Sequence, residues 1–214
     1  MKRLTQYDHR LVRAVTADGM TLEGFAEHCS ASYCMHEYGI DEECLQFDDY
    51  LVRGSEIVTI EDLGLRRVIK EFGELTPHEL YAILKLRVDV FVVEQQCPYR
   101  ELDGLDQRAE HIWLEDDGGI QAYLRVLRPG VEADCFAIGR VVTARRGSGL
   151  GRLILSEGIA YIENEFDASR IYLEAQTYAK GFYEKLGFRQ VSDEFVIDGI
   201  PHIKMIRERP EDEE

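Results

Sequence analysis

The feature that most constrains this chain is a glycine-rich turn at residues 147–151, between an apolar run and a helical segment. The run Val141–Thr143 is typical of a β-strand end, and Leu150–Phe166 has the apolar spacing of a helix. Glycines in the turn permit left-handed backbone conformations and leave N–H groups uncovered. A helix that begins at such a turn directs its positive dipole end toward it. The segment therefore predicts a site for a phosphate-bearing cofactor.

The turn differs from the two common nucleotide-binding loops. No Lys-Ser or Lys-Thr pair follows its last glycine, as a P-loop would require, and it lacks the earlier glycine of a Rossmann turn. Cations are supplied by Arg145, Arg146 and Arg152. The spacing of Arg146, Gly149 and Gly151 resembles the pyrophosphate-binding turn of GCN5-related N-acetyltransferases (GNATs). A glycine-rich linker with solvated arginines is the alternative for this segment alone.

A second segment, Tyr178–Phe188, follows the apolar strand Arg170–Gln176 and predicts a short helix that ends at Gly187. In the GNAT family this segment lies along the sulfur end of coenzyme A. The resemblance makes Tyr183 the proton donor to the leaving thiolate, because a phenol with an ordinary pKa of about 10 is protonated at neutral pH. Alternatively, Tyr183 is a packing residue on an apolar helix face.

Further segments resemble the ElaA-type branch of the GNAT family over about residues 75–207. They comprise Leu84–Tyr99, the acidic residues Glu101, Asp103 and Asp106, and the segment Asp198–Ile203. The resemblance implies an α+β fold for residues 75–209, with a mixed, mostly antiparallel, splayed sheet flanked by helices. Coenzyme A would enter where Ile138–Thr143 and Ile171–Gln176 run side by side. The segment between Val142 and Gly147 is one residue shorter than is usual in the family.

The first 63 residues alternate between apolar and polar positions in several short runs, with a hairpin signal at Asp18-Gly19. This pattern predicts a small all-β barrel, SH3-like or Sm-like, over residues 1–63. We expect a linker at 64–74 and an acidic tail at 210–214. The predicted strands carry few cations, so a protein contact or a homodimer interface is favoured over RNA binding.

The resemblance also implies a set of site residues. The cofactor would be bound by Val141, Val142, Thr143, Arg145, Arg146, Gly147, Ser148, Gly149, Leu150, Gly151, Arg152, Phe182 and Tyr183. For the general base, several candidates stay open: Glu94, His111 and His202, with Asp103 and Glu174.

Composition narrows the function classes. The net charge of −16 argues against nucleic acid and anionic membranes as partners, and no apolar run reaches the length of a membrane helix. We expect a cytoplasmic protein. The five cysteines form no disulfide pattern. Within the predicted barrel, the only cluster with metal-ligand chemistry is His28, Cys29, Cys34, His36 and Cys44. Because these residues lack paired C-x-x-C spacing, we predict no metal.

Together these features predict an N-acetyltransferase that uses acetyl-CoA as cosubstrate and a primary amine of a small molecule or peptide as acceptor. Two alternatives remain at this point. One is a non-catalytic coenzyme A sensor whose N-terminal barrel docks a partner protein. The other is a synthase of the acyl-homoserine-lactone type, which shares this architecture and uses an acyl carrier or acyl-CoA.

Overall fold

A computed structural model describes residues 3–47 and 50–209, and the chain divides into two compact units. One unit comprises Met1–Val68 with Leu114–Gly118, and the other comprises Ile69–Trp113 with Gly119–Glu214. The predicted acidic tail at 210–214 lies outside the described residues. Within the described ranges, no helix has both the length and the apolar character that crossing a membrane requires.

The first unit is built mainly of antiparallel strands. They are β1 (Arg10–Thr16), β2 (Thr21–Cys29), β3 (Cys44–Phe47), β4 (Tyr50–Arg53) and β5 (Ile57–Glu71), with helix α1 (Ala31–Tyr38) between β2 and β3. Their order is β5-β1-β2-β3-β4, and no pairing among the described residues joins β4 to β5. The predicted closed barrel is therefore wrong, because the described strands form an open sheet. Alternation buries one face of a strand equally well in an open sheet and in a barrel.

Helix α1 was not predicted, although its ends carry clear signals. The Ser30 side chain caps the start by accepting a hydrogen bond from the Tyr33 N–H, and Gly39 ends the helix in a left-handed conformation with φ 70°. Of its residues, Cys34 alone is buried. Such a short helix with one buried residue leaves little apolar periodicity for a sequence pattern to detect.

The segment at 64–74, expected to be a linker, holds the end of β5 and a 3₁₀ turn at Phe72–Glu74. The core of the first unit is small. It contains Leu4, Val12, Ala14, Ala26, Leu45, Phe47, Val52 and Ile57. The domain boundaries at 63 and 75 stay a prediction.

The second unit combines a mixed sheet with helices, in agreement with the predicted α+β GNAT-type fold. Its elements are α2 (Pro77–Arg87), a π-helical segment (Val88–Glu94), β6 (Ala109–Asp116), β7 (Gly119–Leu127), β8 (Phe136–Thr143), α3 (Leu150–Phe166), β9 (Arg170–Gln176), α4 (Lys180–Glu184), β10 (Phe188–Gln190), β11 (Phe195–Ile197) and β12 (Ile200–Glu208). The strand order is β10-β12-β9-β8-β7-β6, and β11 pairs with β12. The pair β8–β9 is parallel, whereas β7–β8, β9–β12 and β10–β12 are antiparallel.

Helix α2 begins with the predicted capping box. The Glu79 N–H donates to Thr76 Oγ1 at 3.2 Å, and the Thr76 N–H donates to Glu79 Oε2 at 2.8 Å. Pro77 occupies the first helical position, where its missing N–H costs nothing. The sequence therefore fixes where the helix starts, while its π-helical continuation from Val88 was not predicted.

Helix α3 packs closely on β7, and a glycine makes this contact fit. A Cβ atom added at Gly158 would lie 2.7 Å from Leu124 Cδ2, closer than such atoms approach in proteins. Ile154, Leu155 and Ile162 of the same helix are buried in the core. The close packing fixes the position of α3 on the sheet, and with it the turn from which the helix begins.

Candidate active site

A cavity of about 500 Å³ opens in the second unit where β8 and β9 cease to pair. The two strands are in register at Phe136–Ile171 and Ala137–Tyr172. Beyond those pairs, residues of both strands line the cavity. The predicted gap between these strands is therefore the place where the cavity lies.

The glycine turn at one end of the cavity has room for an anion. Gly147 and Gly149 have φ values of 73° and 83°, and a Cβ added at either would meet nothing within 4 Å. Gly149 is the N-cap of α3, and no side chain caps the helix there. The first N–H groups of a helix lack partners within it, so they are available to an anionic ligand. These residues fit the pyrophosphate of a coenzyme A-type molecule.

Strand β8 is distorted where it passes the cavity. Arg140 has a left-handed conformation, with φ 56°, which is rare for a residue with a side chain. Its guanidinium is held by Glu101 Oε2 at 2.9 Å and Asp103 Oδ2 at 3.0 Å. These ion pairs stabilise the distortion immediately before Val141, Val142 and Thr143, which line the cavity.

A network of three arginines and three carboxylates supports this wall. Arg87 is fully buried, with Nε 2.5 Å from Glu101 Oε1 and Nη1 2.8 Å from Asp106 Oδ1. Arg125 binds Asp103 and Asp106 at 2.7 and 2.9 Å. With Arg140 included, the network contains three positively charged and three negatively charged side chains. A buried network of this kind is costly to break, because removing one partner leaves an unpaired charge.

Sequence reasoning identified the three acidic residues of this network as a motif but missed their arginine partners. Arg87 follows the apolar positions of α2, and Arg125 interrupts the apolar run of β7. A charged residue at an otherwise buried position is the signal that could have found them, since such a charge requires a partner.

The network predicts a loss of stability in acid. Burial alone would raise the pKa of Asp103, but hydrogen bonds from Arg125 and from the Leu105 N–H outweigh burial and lower this pKa to about 2. Because the folded pKa lies below the unfolded one, Asp103 contributes stability above about pH 4, and this contribution disappears as the pH falls toward 2. We expect about 2 kcal/mol to be lost over this range.

Urea unfolding of the parent and of Asp103→Asn at pH 7 and pH 2 measures this contribution. The difference in unfolding free energy between the two proteins is expected to shrink at pH 2. Asp193→Asn, at an exposed position, is the control. An equal difference at both pH values would contradict the assignment.

Tyr183 lies in the cavity wall. Its ring packs at 5.1 Å from Phe182 and 6.0 Å from Phe188, measured between centroids. Burial, followed by the neighbouring Tyr178, raises the pKa of Tyr183 above its ordinary value. The phenol therefore stays protonated at neutral pH, which is the state that a proton donor requires.

The five candidate bases separate by position. Asp103, Glu174 and His202 line the cavity, whereas Glu94 and His111 do not. His111 is fully buried, with Nδ1 2.8 Å from the Tyr123 hydroxyl and Nε2 3.1 Å from the Asp106 carbonyl oxygen. Burial also lowers the pKa of His111, against the opposing effect of Asp106. This histidine is a core residue whose nitrogens are both engaged.

Of the three that line the cavity, His202 has a tautomer that is fixed by a backbone hydrogen bond. Its Nδ1 lies 2.8 Å from the Ile200 carbonyl oxygen, which accepts hydrogen bonds and cannot donate them. In the neutral ring, Nδ1 therefore carries the hydrogen and Nε2 carries the lone pair. Asp103 is committed to the arginines, and Glu174 accepts a hydrogen bond from the Tyr172 hydroxyl at 2.6 Å.

The predicted cofactor residues fall into two groups. Val141, Val142, Thr143, Arg146, Gly151, Phe182 and Tyr183 line the cavity. The others form the adjoining turn and helix start. Among these, Ser148 Oγ donates to the Arg145 carbonyl oxygen at 2.9 Å, and Leu150 is buried. Gly151 lies next to Phe182, since an added Cβ would be 3.6 Å from that ring.

The cysteine cluster of the first unit carries no metal geometry. Within residues 3–47 and 50–209, no group of three or more histidine, cysteine, aspartate or glutamate side chains is placed to hold a metal ion. Cys29, Cys34 and Cys44 have free thiols. Burial raises the pKa of the Cys44 thiol to about 12, with a further contribution from Cys34.

Comparisons with known proteins agree with this architecture. The acetyltransferase (GNAT) domain family matches residues 79–209. The chain is 43% identical over 150 residues to the UPF0039 protein Rv2851c of Mycobacterium tuberculosis, which covers 67% of this chain and 92% of that protein. It is 39% identical over 142 residues to Protein ElaA of Escherichia coli, with coverage of 64% and 92%.

Solved structures give the same result. A crystal structure of an acyl-CoA N-acyltransferase from Pseudomonas aeruginosa superimposes with a TM-score of 0.64 and 41% identity, covering 67% of this chain and 99% of that one. The crystal structure of Escherichia coli ElaA gives a TM-score of 0.63 and 35% identity, with coverage of 67% and 99%. The acyl-homoserine-lactone synthase LasI, at 16% identity, shares the fold alone. From its matched domain and its relatives, this chain belongs to the GNAT acetyltransferase family.

Proposed function

We propose that this protein transfers an acetyl group from acetyl-CoA to a primary amine of a small molecule or peptide. The observation that carries the proposal is the cavity between the separated strands β8 and β9. The glycine turn lies at one side of it, and Tyr183 and His202 are in its walls. On this proposal, backbone groups that bind an anion, a proton donor and a proton acceptor would lie around one cavity, as acyl transfer to an amine requires.

Two sets of backbone groups would hold the cosubstrate. Those of Val141–Thr143 would bind the pantetheine amides, and the N–H groups of residues 147–151 would bind the pyrophosphate, with Arg146 as the nearby cation. Acetyl-CoA supplies the acetyl group and a thiolate leaving group. A helix N-terminus stabilises the bound phosphates, because its partial positive charge faces them.

The side chains would move two protons. His202 Nε2 would accept one from the attacking amine, directly or through a water molecule, as the carbon–nitrogen bond forms. The Tyr183 hydroxyl would donate one to the sulfur as the carbon–sulfur bond breaks. His202 gains one proton and Tyr183 loses one, so the two transfers balance. Both residues return to their starting states once they exchange these protons with solvent.

Binding of the cosubstrate is tested by a matched pair of variants at the turn. We expect acetyl-CoA to raise the unfolding temperature of the parent, because a ligand that binds the folded state at 100 times its Kd adds about 2.7 kcal/mol. Gly149→Asp should abolish the shift by placing a carboxylate where the pyrophosphate would bind. Gly149→Asn has the same shape, tolerates the left-handed conformation and should keep most of the shift.

Equal shifts in the parent and in both variants would contradict the cofactor assignment. Release of coenzyme A thiol in the presence of amines then separates the enzyme from a non-catalytic sensor, which would bind acetyl-CoA without turnover. A preference for long acyl thioesters over acetyl-CoA would instead favour an acyl-homoserine-lactone type of synthase.

A further inference from the structure

One ion pair joins two walls of the cavity at its rim. Arg146 Nη2 lies 2.7 Å from Glu94 Oε1. Arg146 belongs to the turn before α3 and lines the cavity. Glu94 ends the π-helical segment Val88–Glu94, whose Val90 and Phe91 also line the cavity. The Glu94 carboxylate is therefore paired with Arg146, the cation that is best placed to bind a phosphate at the turn.

The pair is well suited to exchange. The Arg146 and Glu94 side chains are 60% and 52% exposed, so water screens their attraction and little free energy is lost when they separate. A pyrophosphate offers more negative charge than one carboxylate, and several acceptor oxygens to the same guanidinium. Arg146 would therefore leave Glu94 for the phosphates when a cofactor enters.

We propose that Glu94 is a positioning residue that competes with the cofactor pyrophosphate for Arg146. This inference rests on the proposed function, since it assumes that coenzyme A binds at the turn. Without cofactor, Glu94 holds the guanidinium at the rim. With cofactor, the carboxylate is displaced, and when coenzyme A leaves, Glu94 takes Arg146 back. Glu94 thus weakens cofactor binding and hastens its release.

The test is the Kd of coenzyme A, measured by calorimetry, for a set of variants. Glu94→Gln should tighten binding two- to fivefold, and the dissociation rate measured by stopped flow should fall. Arg146→Gln should weaken binding. In the Arg146→Gln background, adding Glu94→Gln should change the Kd little, because the competition acts through the arginine.

A matched control is available in the same unit. Glu208 pairs with Arg189 at 3.0 Å, and both side chains are as exposed as those of the rim pair. Glu208→Gln makes the same charge change away from the cavity, so it should leave the Kd unchanged. If it tightens binding as Glu94→Gln does, net charge is the cause and the inference fails.

The remaining outcomes are also decisive. Unchanged or weaker binding in Glu94→Gln would overturn the competition. Equal tightening with and without Arg146 would overturn it as well, since Glu94 would then repel the phosphates directly. Glu94→Asp, with a shorter side chain, should give an intermediate Kd. A parent protein that does not bind coenzyme A would overturn the proposed function itself, which is a different result from a parent that binds and a variant that does not respond.

Discussion

Replacing Tyr183 with phenylalanine is expected to lower turnover 10²- to 10⁴-fold, the usual cost of losing a positioned acid. The phenylalanine ring keeps the packing against Phe182 and Phe188, so the fold and the affinity for acetyl-CoA should change little. The measurement is thiol release with a confirmed amine acceptor at saturating acetyl-CoA, together with the Kd of acetyl-CoA by calorimetry.

Tyr81→Phe is the control for this experiment, because Tyr81 is an exposed tyrosine on α2 outside the cavity lining. It removes one hydroxyl and should leave turnover at the parent value. If Tyr183→Phe also keeps the parent rate, Tyr183 serves in packing and the sulfur is protonated by water or another group. If Tyr183→Phe loses acetyl-CoA binding, the lower rate would report affinity and not proton donation.

The second large effect is expected at His202. His202→Ala removes the Nε2 lone pair and should lower kcat/KM 10²- to 10⁴-fold, because the attacking amine loses its proton acceptor. The space left by the ring borders the cavity, so added imidazole should restore part of the rate. His78→Ala removes an exposed histidine from α2 and should have no effect, with or without imidazole.

Rescue by imidazole is the part of this result that a structural role would not produce. A variant whose strand β12 had lost its position would gain nothing from a soluble base. Full activity in His202→Ala would assign the proton transfer to Glu174 or to water. A rate loss without rescue, accompanied by an altered melting temperature, would make His202 a structural residue.

Local signals predicted the second unit well. The glycine turn fixed both the end of β8 and the start of α3, and the capping box fixed the start of α2. From its apolar residues alone, the segment Phe188–Ile197 predicts one strand, whereas the structure has two, β10 and β11, separated by a short irregular stretch. The break falls at the polar run Ser192-Asp193-Glu194, where the apolar alternation is interrupted.

Local sequence signals could not predict that the sheet of the first unit is open. Strand β1 shows the expected alternation, with Val12 and Ala14 buried. Whether β4 pairs with β5 depends on contacts between residues far apart in sequence and on the accumulated twist of the sheet. The local spacing of apolar residues predicts neither of these. Strand content was therefore predictable in this unit, and closure was not.

The candidate site divides in the same way. The turn and Tyr183 have fixed sequence spacing, so their place near the cavity followed from the family resemblance. The choice among bases did not, because a histidine in a strand is equally compatible with burial, as at His111, and with the cavity, as at His202. The hydrogen bond to the Ile200 carbonyl, which fixes the tautomer of His202, depends on the backbone path alone.

The balanced network beneath the cavity wall has a consequence for how this protein can diversify. Arg87, Arg125 and Arg140 each share a carboxylate with another arginine, so a single charge-changing replacement would leave the buried and half-buried charges of the network unbalanced. Intermediates that alter one member at a time would be less stable than either end point. Changes in the shape of the cavity therefore have to come from side chains outside the network, while the members of the network change together or not at all.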